Sequence, residues 1–366
     1  MIRFVWLDSF GPRGGLDREP FPTRRRGVGD DLAAGFPHRP NRDRCSAAIA
    51  LGRVLALFLV LLTCGGCTPE PTPVLRVGTN VWPGYEPLYL ARHLGYFNHA
   101  VRLVEYSSAT QVISAYRNGA IEAAALTLDE LLLLAQHGQD PRVVLVMDVS
   151  HGGDAILGRS ELRSLSDLKG RRVGVEGTAT GAYLLSRALE TNDLTRADVV
   201  IVPLQVDEHE RAFKEGRVDA VVTFEPVRSK MLAAGARELF NSAQIPGEIV
   251  DVLVVRGELS ERNRRAADML LRGWFRALEY LGQHPREAAA LIAKRMQINP
   301  DQVLVSYQGL RLPSQADNRT LLAGNSPQLI PVVQRLAAVM TDQKLLQRPV
   351  DPTGLPDPRP LLRLTP

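Results

Sequence analysis

From residue 74 onward the apolar positions switch repeatedly between the two-residue period of a strand and the 3.6-residue period of a helix. Leu75, Val77 and Thr79 predict a strand over 75–79. Leu88, Leu90, Ala91 and Leu94 predict a helix over 87–97, and a second strand follows over 101–106. A helix over 111–117 is stopped by Asn118-Gly119. After a short strand over 123–126, Thr127 and Glu130 stand at capping-box spacing for a helix running to Leu134. Residues 143–148 form a continuous apolar run ending at Asp148, which predicts a buried strand of the parallel kind. A second unit of the same plan then appears: strands over 172–175, 199–202 and 220–224, a helix opened by Gly177 to Gly181 and running to Leu189, and another over 207–215. One more apolar strand, 249–255, precedes a helical remainder in which 262–281 and 285–295 are clearest. There is no solenoid-type repeat. Two similar open α/β units place a ligand site in the cleft between them, at the strand C-terminal ends.

Ahead of this body the pattern is different. Residues 54–62 read VLALFLVLL between Arg53 and the small residues Gly65 and Gly66, too short for a membrane-spanning helix but suited to a secretory signal. Residues 1–50 are rich in Arg, Pro and Gly with no period, and disorder is expected there. The three cysteines, Cys45, Cys64 and Cys67, all lie in or before this region. Gly66-Cys67 looks like a bacterial lipobox, which makes Cys67 the expected lipidated residue; a cut before Cys64, or ordinary secretion, is the alternative. Prolines 69, 71 and 73 then predict an extended tether.

Composition sharpens this picture at one point. With 45% hydrophobic and 23% charged residues the 366-residue chain can bury sizeable cores. Its +4 charge would suggest nucleic acid or anionic membrane as partner. Ten arginines and six carboxylates fall within residues 1–66, however, so of the chain's 44 basic and 40 acidic residues the downstream part holds 34 of each. A mature protein would be near neutral, and no nucleic-acid partner is expected.

The stretch Val77-Gly78-Thr79-Asn80-Val81-Trp82-Pro83-Gly84-Tyr85-Glu86-Pro87, with Leu94-Gly95-Tyr96-Phe97, resembles the opening of solute-binding proteins of the nitrate, sulfonate, taurine and thiamine-pyrimidine type. Gly119 to Leu126, Gly153 to Leu157, Asp167-Leu168-Lys169-Gly170 with Val173-Gly174-Val175, and Gly216 to Pro226 continue the resemblance in order, over about residues 74–256. It implies a type II periplasmic-binding-protein fold: two α/β lobes joined by two crossover segments, expected near 154–162 and 246–254. The corresponding division is leader and signal 1–66, tether 67–73, first lobe 74–155 with 252–345, second lobe 156–251, and a C-terminal tail 346–366. The implied function is capture of a small organic molecule for an ABC permease and ATPase, by an extracytoplasmic, lipid-anchored monomer without cofactor. The rivals are a ligand-sensing lipoprotein and, less in keeping with a body free of cysteine, an enzyme of the thiamine-pyrimidine type.

Candidate ligand contacts follow from strand ends. Asn80, Trp82, Gly84 and Tyr85 follow the first strand, where Trp82 and Tyr85 can stack on a heterocycle or cage a cation; Trp82 reads equally as a packed hinge residue, and Pro83-Gly84 as a turn. Ser107 and Ser108 end the second strand and Thr127 the third, where capping their own helices is the competing role. In the second lobe Gly177, Thr178, Ala179 and Thr180 open a helix but lack the lysine of a phosphate loop. Asp154 and Glu225 stand at strand ends without an accompanying first-lobe arginine, so a neutral or cationic ligand is expected over a sulfonate. The histidines show no metal-ligand spacing.

Overall fold

The computed structural model describes residues 74–177, 179–257 and 263–364, and of Ala179 the backbone alone. The leader, tether, Cys67 and Thr178 of the preceding section lie outside them.

Two sheets organise the described chain. The first has the order β11-β4-β10-β3-β1-β2. It comprises β1 (Leu75–Thr79), β2 (Val101–Glu105), β3 (Ala123–Thr127), β4 (Pro141–Ser150), β10 (Val250–Arg256) and β11 (Leu310–Arg311). The second has the order β7-β6-β8-β5-β9. It comprises β5 (Asp154–Gly158), β6 (Arg172–Val175), β7 (Val200–Pro203), β8 (Ala220–Phe224) and β9 (Arg237–Asn241). This is the two-lobed α/β architecture expected from the sequence. The helices that matter below are α1 (Glu86–His93), α2 (Ala109–Arg117), α3 (Leu128–Gln136) and α4 (Ala179–Glu190), each directly after a strand or its loop. Thr127 and Glu130 form the predicted capping box on α3.

Residues 141–150 run in the same direction as β1, β2 and β3, as expected, but pair only with antiparallel strands. β4 pairs antiparallel with both β10 and β11, and β10 is antiparallel to β3 as well. Nearly every residue of β3, β4 and β10 is buried, so the run is apolar throughout because the sheet is covered on both faces, a condition parallel strands usually meet but do not own.

The passages between lobes also fall earlier than expected. The segment expected to cross near 154–162 begins as β5, a strand of the second sheet, so the chain crosses at His151–Gly153 and returns through residues 242–249. Gly152 adopts φ +116°, a backbone state that a side chain disfavours. Its N–H donates to Ser242 Oγ at 2.6 Å, and Ser242 Oγ also lies 2.8 Å from Ser150 Oγ, so the two crossings are tied side by side. The residues after 346 pack on the first lobe: Leu355, Leu361 and Leu364 are buried, and the backbone of Leu355 and Asp357 bonds to Val143.

Candidate functional site

Each sheet inserts one antiparallel strand among parallel ones, and in each that strand enters at the cleft edge with an aspartate. In the first lobe β10 begins where β3 ends, so Asp251 stands opposite Thr127 on one side and Asp148 on the other. In the second lobe β5 begins where β8 ends, which sets Asp154 opposite Phe224. The C-terminal ends of the parallel strands add Asn80 after β1 and Glu176 after β6. Helix first turns supply Glu130 from α3 and Thr180 from α4. These side chains, with Trp82, Tyr85, Leu184 and Thr223, line a cleft of about 540 Å³, part of it open to solvent.

The first wall is held by hydrogen bonds from aromatic side chains to carboxylates. Tyr85 Oη donates to Asp251, and Trp82 Nε1 donates to Asp148 Oδ2 at 3.1 Å. Gly84 is required between them, because a methyl group there would overlap the Asp148 carboxylate. The lobes touch through Thr180, whose hydroxyl donates to Asp129 Oδ2 at 2.9 Å and lies 2.8 Å from Thr127 Oγ1. A second bridge runs from Thr110 Oγ1 to Glu176 Oε1 at 3.2 Å.

The electrostatics are one-sided. Glu130, Asp154, Glu176 and Asp251 line the cleft, with Asp129 and Asp148 buried beside it, while no Lys, Arg or His lines it among the described residues. Burial pushes Glu130 up to about 8, and Asp148 and Asp154 up to about 7. It raises Asp129, Glu176 and, well above its ordinary value, Asp251. Mutual repulsion adds to burial: Asp251 feels Asp148, Asp154 and Glu130, while Glu130 feels Asp129 and Glu176. Asp154 Oδ2 is buried without a hydrogen-bond partner among the described residues. Such a wall gains free energy from any group that brings positive charge or N–H donors. Among the described residues no three His, Cys, Asp or Glu are arranged to hold a metal ion.

Several expected contacts meet here: Asn80, Trp82, Tyr85, Thr127, Asp154 and Thr180 all line the cleft. Others do not. Ser108 is buried and caps α2 by accepting from the N–H of Gln111, while Ser107 is exposed and accepts from the Gln111 side chain. Gly177 is exposed and Gly84 acts through its backbone. Glu225 is turned to the crossing side: it is buried against Arg228 Nη1 at 2.9 Å and Ser229 Oγ at 3.0 Å, because the turn into the next helix supplies both partners within four residues. Its neighbour Phe224 reaches the cleft instead.

The sequence reading missed Asp251, Glu176 and Glu130. Asp251 had a signal, an acid inside an otherwise apolar strand. Glu176 directly follows a strand, and Glu130 was accounted for by capping alone.

The NMT1-like family model matches residues 68–297. The chain belongs to the NMT1-like family. A protein of Escherichia coli (strain K12) named as a putative aliphatic sulfonates-binding protein is 24% identical over 251 residues, covering 68% of this chain and 76% of that one. Among solved structures, the alkanesulfonate-binding protein of Xanthomonas axonopodis pv. citri bound to MOPS has a TM-score of 0.64 at 20% identity, over 78% of this chain and 97% of its own. The same fold carries catalysis elsewhere: a solved desulfurization enzyme has a TM-score of 0.58 at 17% identity, over 78% of this chain and 97% of its own. The fold of this NMT1-like protein is therefore that of the periplasmic binding proteins.

Proposed function

We propose that this NMT1-like protein is an extracytoplasmic solute-binding lipoprotein that captures a small organic cation between its lobes and delivers it to an ABC importer. One observation carries the ligand class. Four carboxylates line the cleft with no basic side chain facing them among the described residues, and two aromatic rings, Trp82 and Tyr85, stand with them. A sulfonate in this cleft would meet like charge or protonated acids where it needs fixed donors of positive sign. An ammonium or protonated aminopyrimidine finds carboxylate acceptors and ring faces together. The structures named for sulfonates share the fold, and the lining of this chain is acidic.

Capture and release follow from the two crossings, which let the lobes open and then close over the ligand as rigid bodies. The signal-like residues 54–62 and the lipobox cysteine Cys67 support membrane retention near a permease. That the curated relatives are named as binding proteins supports capture over catalysis.

A thermal-shift panel tests the ligand class, since binding to the folded state raises its stability by mass action. Primary amines, quaternary ammonium compounds and aminopyrimidines are expected to raise the melting temperature, while methanesulfonate and taurine leave it unchanged. Stabilisation by the short sulfonates alone would refute the proposal.

A further inference from the structure

A second cavity, of roughly 970 Å³ and partly open to solvent, shares no lining residue with the cleft. Its floor is apolar: Val146 and Val250 from the first sheet, and Leu329 and Leu336 from the helix Leu329–Asp342. Val250 and Asp251 are consecutive in β10, so their side chains point to opposite faces of the sheet, one into this cavity and one into the cleft.

The charges around it do not cancel. The one carboxylate in its wall among the described residues, Glu248, is already matched: Tyr183 Oη donates to it at 2.6 Å, and Arg187 donates through Nε at 2.8 Å and Nη2 at 3.0 Å. Two further arginines, Arg311 and Arg335, line the cavity from exposed positions. Arg311 is opposed at a distance by Asp317, and Arg335 has no hydrogen-bonding or ion-pair partner among the described residues. An apolar trough with two exposed guanidinium groups at its mouth is complementary to a molecule with an apolar body and one anionic head.

We propose that this cavity binds a single-chain amphiphilic carboxylate, its hydrocarbon body on the valine and leucine floor and its head group at Arg311 and Arg335. Tyr183 belongs to the second lobe and Glu248 to the returning crossing, whereas the floor belongs to the first lobe. An occupant therefore touches the parts that move when the lobes close.

The test is calorimetric titration of the full chain with decanoate below its micelle concentration. Saturable binding at one site per chain is expected, weakened about tenfold or more in the double variant Arg311→Gln, Arg335→Gln, whose exposed positions leave the fold intact. Asp154→Asn, a change in the cleft, is expected to leave decanoate binding unaltered. The proposal is overturned if decanoate does not saturate, if the double variant binds it equally well, if Asp154→Asn abolishes binding, or if decylamine binds the same site with equal affinity.

Discussion

Trp82 is bonded to one lobe and packed on the other: its indole N–H donates to Asp148 Oδ2 at 3.1 Å, and its ring stands edge-on to Phe224 with centroids 5.8 Å apart. The first contact fixes the ring on the first-lobe wall, and the second makes it part of the closed interface. Trp82→Phe keeps an apolar ring but leaves the buried Asp148 carboxylate without its donor. A loss of about 1–3 kcal/mol in stability is expected, measured by urea unfolding. An unchanged midpoint would show that the hydrogen bond contributes nothing.

Gly84 sets how closely the backbone approaches that carboxylate. Gly84→Ala forces Asp148 or the 83–85 turn to move. It is expected to destabilise the protein by about 1–3 kcal/mol and to weaken cleft binding. Calorimetry and unfolding curves equal to the parent's would contradict the tight packing described for this turn.

Ligand-free stability and ligand affinity are expected to respond to pH with opposite signs. The folded protein holds protons on Glu130 to about 8 and on Asp148 and Asp154 to about 7, above ordinary values of 4.5 and 3.8. It therefore binds more protons than the unfolded chain across that window, so stability falls as pH rises through 7 to 8 and recovers as pH falls toward the unfolded values. A cation prefers the ionised wall, so its affinity rises with pH and binding releases protons. Melting curves between about pH 5.5 and 8.5 check the first slope. Calorimetry in buffers of different ionisation enthalpy checks the proton release, and proton uptake on binding would contradict it.

Thr180 links the lobes. Thr180→Val removes the hydroxyl that joins Asp129 to Thr127 and withdraws about 1–2 kcal/mol from the closed arrangement. Small-angle scattering is expected to show a larger radius of gyration for the ligand-free variant. An identical radius would mean that other contacts set closure.

Much of the frame was legible because strand and helix periods repeat from Leu75 to Arg256. What escaped was strand pairing. The apolar run at 143–148 reads the same in a parallel or antiparallel setting once both faces are buried, so only its pairing with β10 shows which it is. That same strand, returning from the second lobe, carries Asp251 into the site from a place in the chain far from Asn80 and Trp82. Local patterns pointed to Trp82, Tyr85 and Asp154, which line the cleft because their positions follow from strand ends. They misplaced Glu225, since a strand-end carboxylate faces the cleft or the crossing according to its partners, and Arg228 and Ser229 decide that.

The most direct test of the cleft's charge is a matched pair of ligands, benzylammonium and benzenesulfonate, titrated by calorimetry at neutral pH into the parent chain and into Asp154→Asn. The account predicts saturable binding of the ammonium, weakened about tenfold or more by the substitution, with no binding of the sulfonate in the cleft. Binding of benzenesulfonate but not benzylammonium, or ammonium binding indifferent to Asp154, would contradict it.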